Sequence, residues 1–462
     1  MKKIRILGAV CLLVFIASCF SKKASVVVVS SDGPIAIPPH EQYPGNAEKG
    51  YWYLVQGDYL KSGVPAGLFR LSGIGEKENY LKRTGDNVGI PYNYTLLKAP
   101  NGEQVVSPNC LFCHAQKFGD SLVIGIGNSL SDYTMPQDAT MKILEIGVKA
   151  MGAKKAAAAM PLVKAAKASN PYLVTECKGV NVADRLTTIL AAHRDPVTFK
   201  WIEEEQIKIP EDLIPTDVPA WWLLKKKNAM FYSGFGRGDF PRFLMASNLL
   251  TVSDTAESAE VLTHFNDVLA YLYSLQPPKY PGTINQQMAM QGKAVFENNC
   301  SGCHGTYGEK SSYPNLLIPS HMVQTDSMLV MSNYSSPEFL QWFKKSWFTT
   351  GARPADLMPY KGYIAPPLDG IWCTAPYLHN ASVPNLETLL NSKLRPTYWS
   401  RNFDRPEYDF KNIGWKFETK DRQYTKSTYN TTLKGYSNGG HYFGDALSDA
   451  ERKTVIEYLK TL

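Results

Sequence analysis

The chain carries the same five-residue arrangement twice, as Cys110-Leu111-Phe112-Cys113-His114 and Cys300-Ser301-Gly302-Cys303-His304. Cys-x-x-Cys-His is the spacing by which a chain attaches a c-type heme. The two thiols add to the two vinyl groups of one porphyrin. The adjacent imidazole then lies against the same ring and can bind its iron from one face. The competing readings are a zinc site or a redox disulfide. Zinc would need four ligands brought together, and neither motif has an obvious second pair. Two covalently bound heme c groups are therefore expected, with Cys110, Cys113, Cys300 and Cys303 as thioether donors and His114 and His304 as iron ligands.

The bulk composition allows this. With 462 residues, 44% of them hydrophobic, the chain can bury more than one core. The 26 Tyr, 19 Phe and 9 Trp suit the flat apolar walls that a porphyrin needs. The formal charge is +7, and losing Lys2, Lys3 and Arg5 with a leader would leave +4. Four heme propionates would roughly cancel that, so nothing points to nucleic acid.

The first residues read as such a leader. A cationic start, the short apolar run Ile6 to Ile16, and then Ile16-Ala17-Ser18-Cys19 resemble a bacterial lipoprotein signal. Residues 1–18 are expected to be removed and Cys19 to carry lipid, tethering the chain to a membrane surface. The expected place is the bacterial cell envelope, facing the periplasm or the outer surface. Residues 19–46, with Pro34, Pro38, Pro39 and Pro44, read as a tether. Cys177 and Cys373 are left over: an oxidising compartment permits a disulfide, and two buried thiols fit as well.

The motifs begin 190 residues apart, at 110 and 300. Val268–Leu275 resembles Val455–Leu462 at a distance of 187. Two features sharing nearly one period predict a duplicated unit. The last segment is a well-started helix, with Ser448 at the N-cap and Glu451 three residues on. Before the second motif, Gln291–Glu297 reads as a helix holding Gly292 and Phe296. This resembles the cytochrome c fold, where such a helix crosses a C-terminal helix bearing an aromatic-Leu pair, here Tyr458-Leu459. The expected fold is mainly α, with two cytochrome-c-like domains in tandem, each holding one covalent heme, at 47–278 and 283–462. The Ala-rich segment Met141–Ser169 scores as helix on composition and is expected to serve packing or surface cover.

Function turns on the other face of each iron, since a second strong ligand makes an electron carrier and an open face can bind oxygen or peroxide. For the second heme the candidates are His441, in the Gly-rich loop Tyr436–His441, and Met358, in Met358-Pro359-Tyr360. For the first, Met135, Met230, Met245 and His193 are candidates and none stands out, so an open or weakly held face is expected there.

Leu368–Leu386, together with Arg395-Pro396 and Asn438–Phe443, resembles the signature of the di-heme cytochrome c peroxidase superfamily, closest to its rubber-oxygenase-like branch. The resemblance implies that His379 lies beside the second heme and that His441 is its distal ligand. Ala381 stands where that pattern commonly has Gly. Peroxidase-type members place an aromatic-Trp-Asp-Gly-Arg string between the hemes, followed by a Gln and a Glu. Here the matching stretch is Phe231–Arg237, so Tyr232 replaces the bridging Trp, and no Gln/Glu pair follows. Peroxide cleavage needs a group that moves a proton between the oxygens. Its absence argues against that route, while a pocket lined by Phe231, Phe235, Phe240 or Phe243 remains open to oxygen; the plainer reading of those residues is core.

Trp221-Trp222 precede this stretch. Trp222 and Tyr232 are the candidate catalytic electron relays, against a role in interface packing. Lys225-Lys226-Lys227 reads as a solvated surface or a docking patch for an acidic partner. Two functions follow as expectations. One is an oxidoreductase acting on peroxide, oxygen or an organic substrate at the first heme, with the second relaying electrons. The other is a lipid-anchored electron carrier with both irons six-coordinate. A small cytochrome or cupredoxin is the expected redox partner.

Overall fold

The computed structural model describes residues 33–462, and these form one compact unit. The leader and Cys19 lie outside the described residues. Among the described residues no helix is long and apolar enough to cross a membrane.

Two helix crossings frame the molecule. In the second half, Gln286–Asn299 leads into the heme motif and packs across the closing helix Asp449–Leu459. The contact is close because Gly292 has no side chain: a Cβ there would sit 1.9 Å from the Thr454 carbonyl oxygen. Four residues on, Phe296 is fully buried and its ring lies 5.3 Å from that of Tyr458. The closing helix starts on a capping box, Ser448 accepting from the Glu451 N–H and the Glu451 carboxylate accepting from the Ser448 N–H.

The first half repeats this device. Helix Ala47–Gln56 crosses helix Thr255–Ser274, and a Cβ on Gly50 would meet the Asp267 carbonyl oxygen at 1.9 Å. Leu54, four residues after that glycine, is buried as Phe296 is. Gly50 thus meets Asp267-Val268 as Gly292 meets Thr454-Val455. The leading helix of the first half escapes the sequence reading because it is displaced. Gly292 stands 8 residues before Cys300, whereas Gly50 stands 60 before Cys110.

The intervening residues build a three-stranded sheet, Val64–Pro65, Gln104–Pro108 and Tyr94–Lys98. Its hairpin turns at Asn101-Gly102, with Gly102 at φ +83°, which suits glycine. Such strands enlarge the mainly α expectation: fifteen short strands in six small sheets accompany the helices among the described residues. The Ala-rich segment is helical as expected, split at Gly152 into Asp138–Ala150 and Ala153–Ser169. Ala158, Val163 and Ala165 of the second piece are buried, which makes it cover for the core.

The two halves are interlocked. Trp222 and Ile126 belong to the core of the second half, beside Phe296, Trp372 and Val455. In the other direction Trp342, Phe343, Phe348 and Leu357 enter the core of the first half. Trp342 Nε1 donates to the Arg194 carbonyl at 2.6 Å, and Gly236–Gly238 pairs antiparallel with Ala355–Leu357. Within the stretch read as a tether, Ile35-Ala36 pairs with Leu316-Leu317 and Ile37 is buried against Leu317 and Ile364. Cys177 and Cys373 are free buried thiols in separate cores.

Candidate functional site

The second motif lies on the short helix Ser301–His304 directly after its leading helix. His304 Nδ1 is 2.8 Å from the Pro366 carbonyl oxygen, so Nδ1 carries the proton and Nε2 is left as the free lone pair. Burial lowers the His304 pKa, which keeps the ring neutral and able to bind a metal. Facing it is His441, with ring centroids 6.1 Å apart. A metal–imidazole bond is about 2 Å, so two rings sharing one ion have centroids roughly 6 Å apart. The observed separation suits one iron between the two rings.

The His441 loop is held rigidly. His441 sits at φ +50° and its N–H donates to the Val323 carbonyl at 2.6 Å. Gly440 is at φ +82°, and a Cβ there would lie 2.1 Å from Thr325 N. The Arg395 guanidinium donates to the carbonyls of Asn438 and Gly440, both at 2.7 Å, and reaches that of His441 at 3.3 Å. Burial drives the His441 pKa down to about 3, with His304 and Arg395 adding to it, and Nδ1 has no protein partner. Met358 is 53% exposed and its N–H is bonded to the Phe235 carbonyl.

Around this site lies a buried polar cluster. His379 is buried, stacks on Tyr363 at 4.3 Å, and has Nε2 3.1 Å from the Tyr363 hydroxyl. Tyr232 packs into the same small core as Cys303, Val323 and Tyr363. Its hydroxyl donates to Asp217 Oδ2 at 2.7 Å, and the Asp217 N–H donates to the His379 carbonyl. Burial raises the Asp217 carboxyl to about 7.

The first motif is surrounded differently. Cys110 N–H donates to the Tyr59 hydroxyl at 3.1 Å, and the Asn181 amide donates to Cys113 Sγ at 3.3 Å. The His114 ring stacks on Trp221 at 4.2 Å, its Nδ1 has no protein partner, and burial pulls its pKa down to about 3. The candidates for its far side differ in their surroundings. His193 Nδ1 is 3.0 Å from the Ile202 carbonyl and its ring stacks on Trp201. Met230 and Met245 are buried in the first core, and Met135 is exposed. Phe235 and Phe240 lie in that core, with Phe231 and Phe243 against it, as their plainer reading expected.

A continuous line of contacts joins the two histidines. Trp221 stacks on His114; its neighbour Trp222, 1% exposed, donates from Nε1 to the Asp369 carbonyl at 2.8 Å. The preceding Leu368 N–H donates to the Tyr307 hydroxyl at 2.6 Å, which donates to the His304 carbonyl at 3.0 Å. Asp217, Pro366 and Trp221 were not singled out as partners from sequence. Pro366 had one available signal, its place just before the Leu368–Leu386 signature.

Paired Cys-x-x-Cys-His motifs, half-buried neutral imidazoles and a glycine-seated helix crossing define a heme-binding c-type cytochrome that transfers electrons. Residues 289–357 match the model of the cytochrome c family, and residues 362–400 match that of a family described as RoxA-like, cytochrome c-like. These matches cover the second motif and the signature after it, and neither reaches Cys110–His114. Among curated proteins, the chain is 27% identical over 308 residues to the uncharacterized protein y4iM of Sinorhizobium fredii, covering 58% of this chain and 68% of that one. It is 28% identical over 253 residues to the uncharacterized protein y4iJ of the same organism, covering 41% of each. The chain thus spans about two fifths of the second relative's length.

Proposed function

We propose that the chain is a di-heme oxidoreductase of the rubber-oxygenase-like, di-heme peroxidase kind, with two chemically unequal hemes. The observation that carries this reading is the contrast between the two proximal histidines: His304 faces His441 at 6.1 Å, whereas His114 is stacked on Trp221. Bound heme would supply an iron that gains and loses one electron, and an open coordination face supplies a place for peroxide, oxygen or an organic substrate.

The residues of the chain do the rest. Cys110 and Cys113, and Cys300 and Cys303, anchor the porphyrins. Pro366 fixes the His304 tautomer, and the Arg395 clamp holds His441 where it would serve as the second nitrogen donor to that heme. Two nitrogen donors there would suit a heme that stores and relays electrons. Trp221 and Trp222, with the Asp369–Leu368–Tyr307 line, would carry electrons between the two sites. Tyr232 lies on the second-heme side, where Asp217 accepts its hydroxyl proton. His379 orders Tyr363 beside the second heme. A heme held by Cys110, Cys113 and His114 would supply the site of chemistry. A lipid on Cys19 would hold the protein at a membrane surface of the bacterial envelope, where a small cytochrome or cupredoxin would exchange electrons with it.

The test is the resting spectrum of the holoprotein. A pyridine hemochrome assay should give two hemes per chain. Electron paramagnetic resonance should show one low-spin and one high-spin ferric heme, and cyanide or peroxide should perturb the high-spin signal alone. Two low-spin hemes indifferent to added ligands would favour the simple electron carrier instead.

A further inference from the structure

Lys225, Lys226 and Lys227 have three different fates. Lys225 is exposed, with its ammonium 3.3 Å from the Leu275 carbonyl. Lys226 forms an ion pair with Asp369 at 2.7 Å and lies over the Tyr307 ring. Lys227 is 7% exposed, and its Nζ has no carboxylate, carbonyl or hydroxyl partner among the described residues.

The backbone offers this lysine no way out. The Asn315 side chain grips the peptide on both sides, its Nδ2 donating to the Lys226 carbonyl at 2.9 Å and its Oδ1 accepting from the Asn228 N–H at 2.7 Å. The Asn228 amide is bonded in turn to the Ile37 carbonyl, and Ala229 is buried against Leu317 and Ile364. The backbone at Lys227 is therefore pinned at the seam between the halves, six residues after the Trp221 that stacks on His114.

An isolated ammonium is strongly disfavoured away from water, and buried charges are retained where an anion meets them. Burial alone lowers the Lys227 pKa to about 8, with no acidic side chain opposing the shift. The cofactor that both motifs call for brings carboxylates of its own, two propionates on each heme. We propose that Lys227 is the buried counter-charge of a heme propionate at the seam between the two halves. The propionate belongs to the first or the second heme, and the experiment tells them apart.

Lys227→Gln and Lys227→Arg are made in the full chain, loaded with heme, and compared with wild type by spectroelectrochemical titration of both hemes. A cation near an iron disfavours its ferric form. The glutamine variant should therefore lower the midpoint potential of one heme more than the other, and the arginine variant should keep it near wild type. The heme that moves owns the propionate. Both potentials unchanged in a glutamine variant that retains two hemes would overturn the proposal. Should that variant not accumulate, a crystal structure of the wild-type holoprotein decides. A propionate oxygen within about 4 Å of Lys227 Nζ supports the pairing, and an ammonium bonded only to water or backbone overturns it. A hemochrome assay on the wild type separately tests whether the hemes are present.

Discussion

At the scale of single residues, the histidines of the two motifs differ in what holds them. His304 has a carbonyl on Nδ1 and a second imidazole opposite, and His114 has a tryptophan face. His441→Ala should convert the second heme from low to high spin, while Met358→Ala leaves its spectrum unchanged, because Met358 is a surface residue. An unchanged absorption and resonance spectrum in His441→Ala would remove His441 as the ligand. Asp217 makes a second residue-scale prediction. Burial raises its carboxyl from 3.8 to about 7, so over that range the native chain keeps a proton that the unfolded chain has released. The stability this provides is complete below the unfolded value and is lost as pH rises through about 7. Urea unfolding of wild type and Asp217→Asn at about pH 5 and about pH 8 should therefore show the difference moving against wild type as pH rises, by up to about 3 kcal/mol.

At the scale of elements, two devices are exposed to a single added methyl. Gly50→Ala and Gly292→Ala each place a Cβ 1.9 Å from a carbonyl oxygen of the crossing helix. The helices must separate, and either variant should lose on the order of 1–3 kcal/mol in chemical denaturation. Equal stability would mean that the crossings are looser than these distances. The His441 loop is the other device. Gly440→Ala adds a strained left-handed residue and a clash with Thr325 N, and Arg395→Ala removes the donors to Asn438, Gly440 and His441 carbonyls. Both should raise the high-spin fraction of the second heme, read by electron paramagnetic resonance, and leave the first heme untouched. The leading helix of the first half shows why element-level reading failed there. Gly50 and Leu54 have the same spacing as Gly292 and Phe296, but the 8-residue link to the heme motif that made the second helix recognisable is stretched to 60.

At the scale of the whole molecule, the cores exchange residues across the midline. Trp222 from the first half of the chain fills the second core, and Trp342 and Phe343 from the second half fill the first. Trp222→Ala should cost roughly 3–5 kcal/mol, as for large aromatic truncations in a core. In wild type, heme absorbance at either site and far-ultraviolet circular dichroism should report one coincident unfolding transition, and two separated transitions would show the halves melting independently. The sequence by itself determined the two Cys-x-x-Cys-His motifs and the crossing of the last helix, and the family resemblance made His379 and His441 candidates. The motifs and the crossing follow from fixed short spacings, which local covalent geometry and helix periodicity impose. Only the tertiary structure decided the rest. The displaced helix at Ala47–Gln56, the stacking of Trp221 on His114, the Asp217 partner of Tyr232 and the burial of Lys227 all join residues far apart in the chain. What brings them together is the burial of apolar surface in two interlocked cores, and no local spacing encodes that.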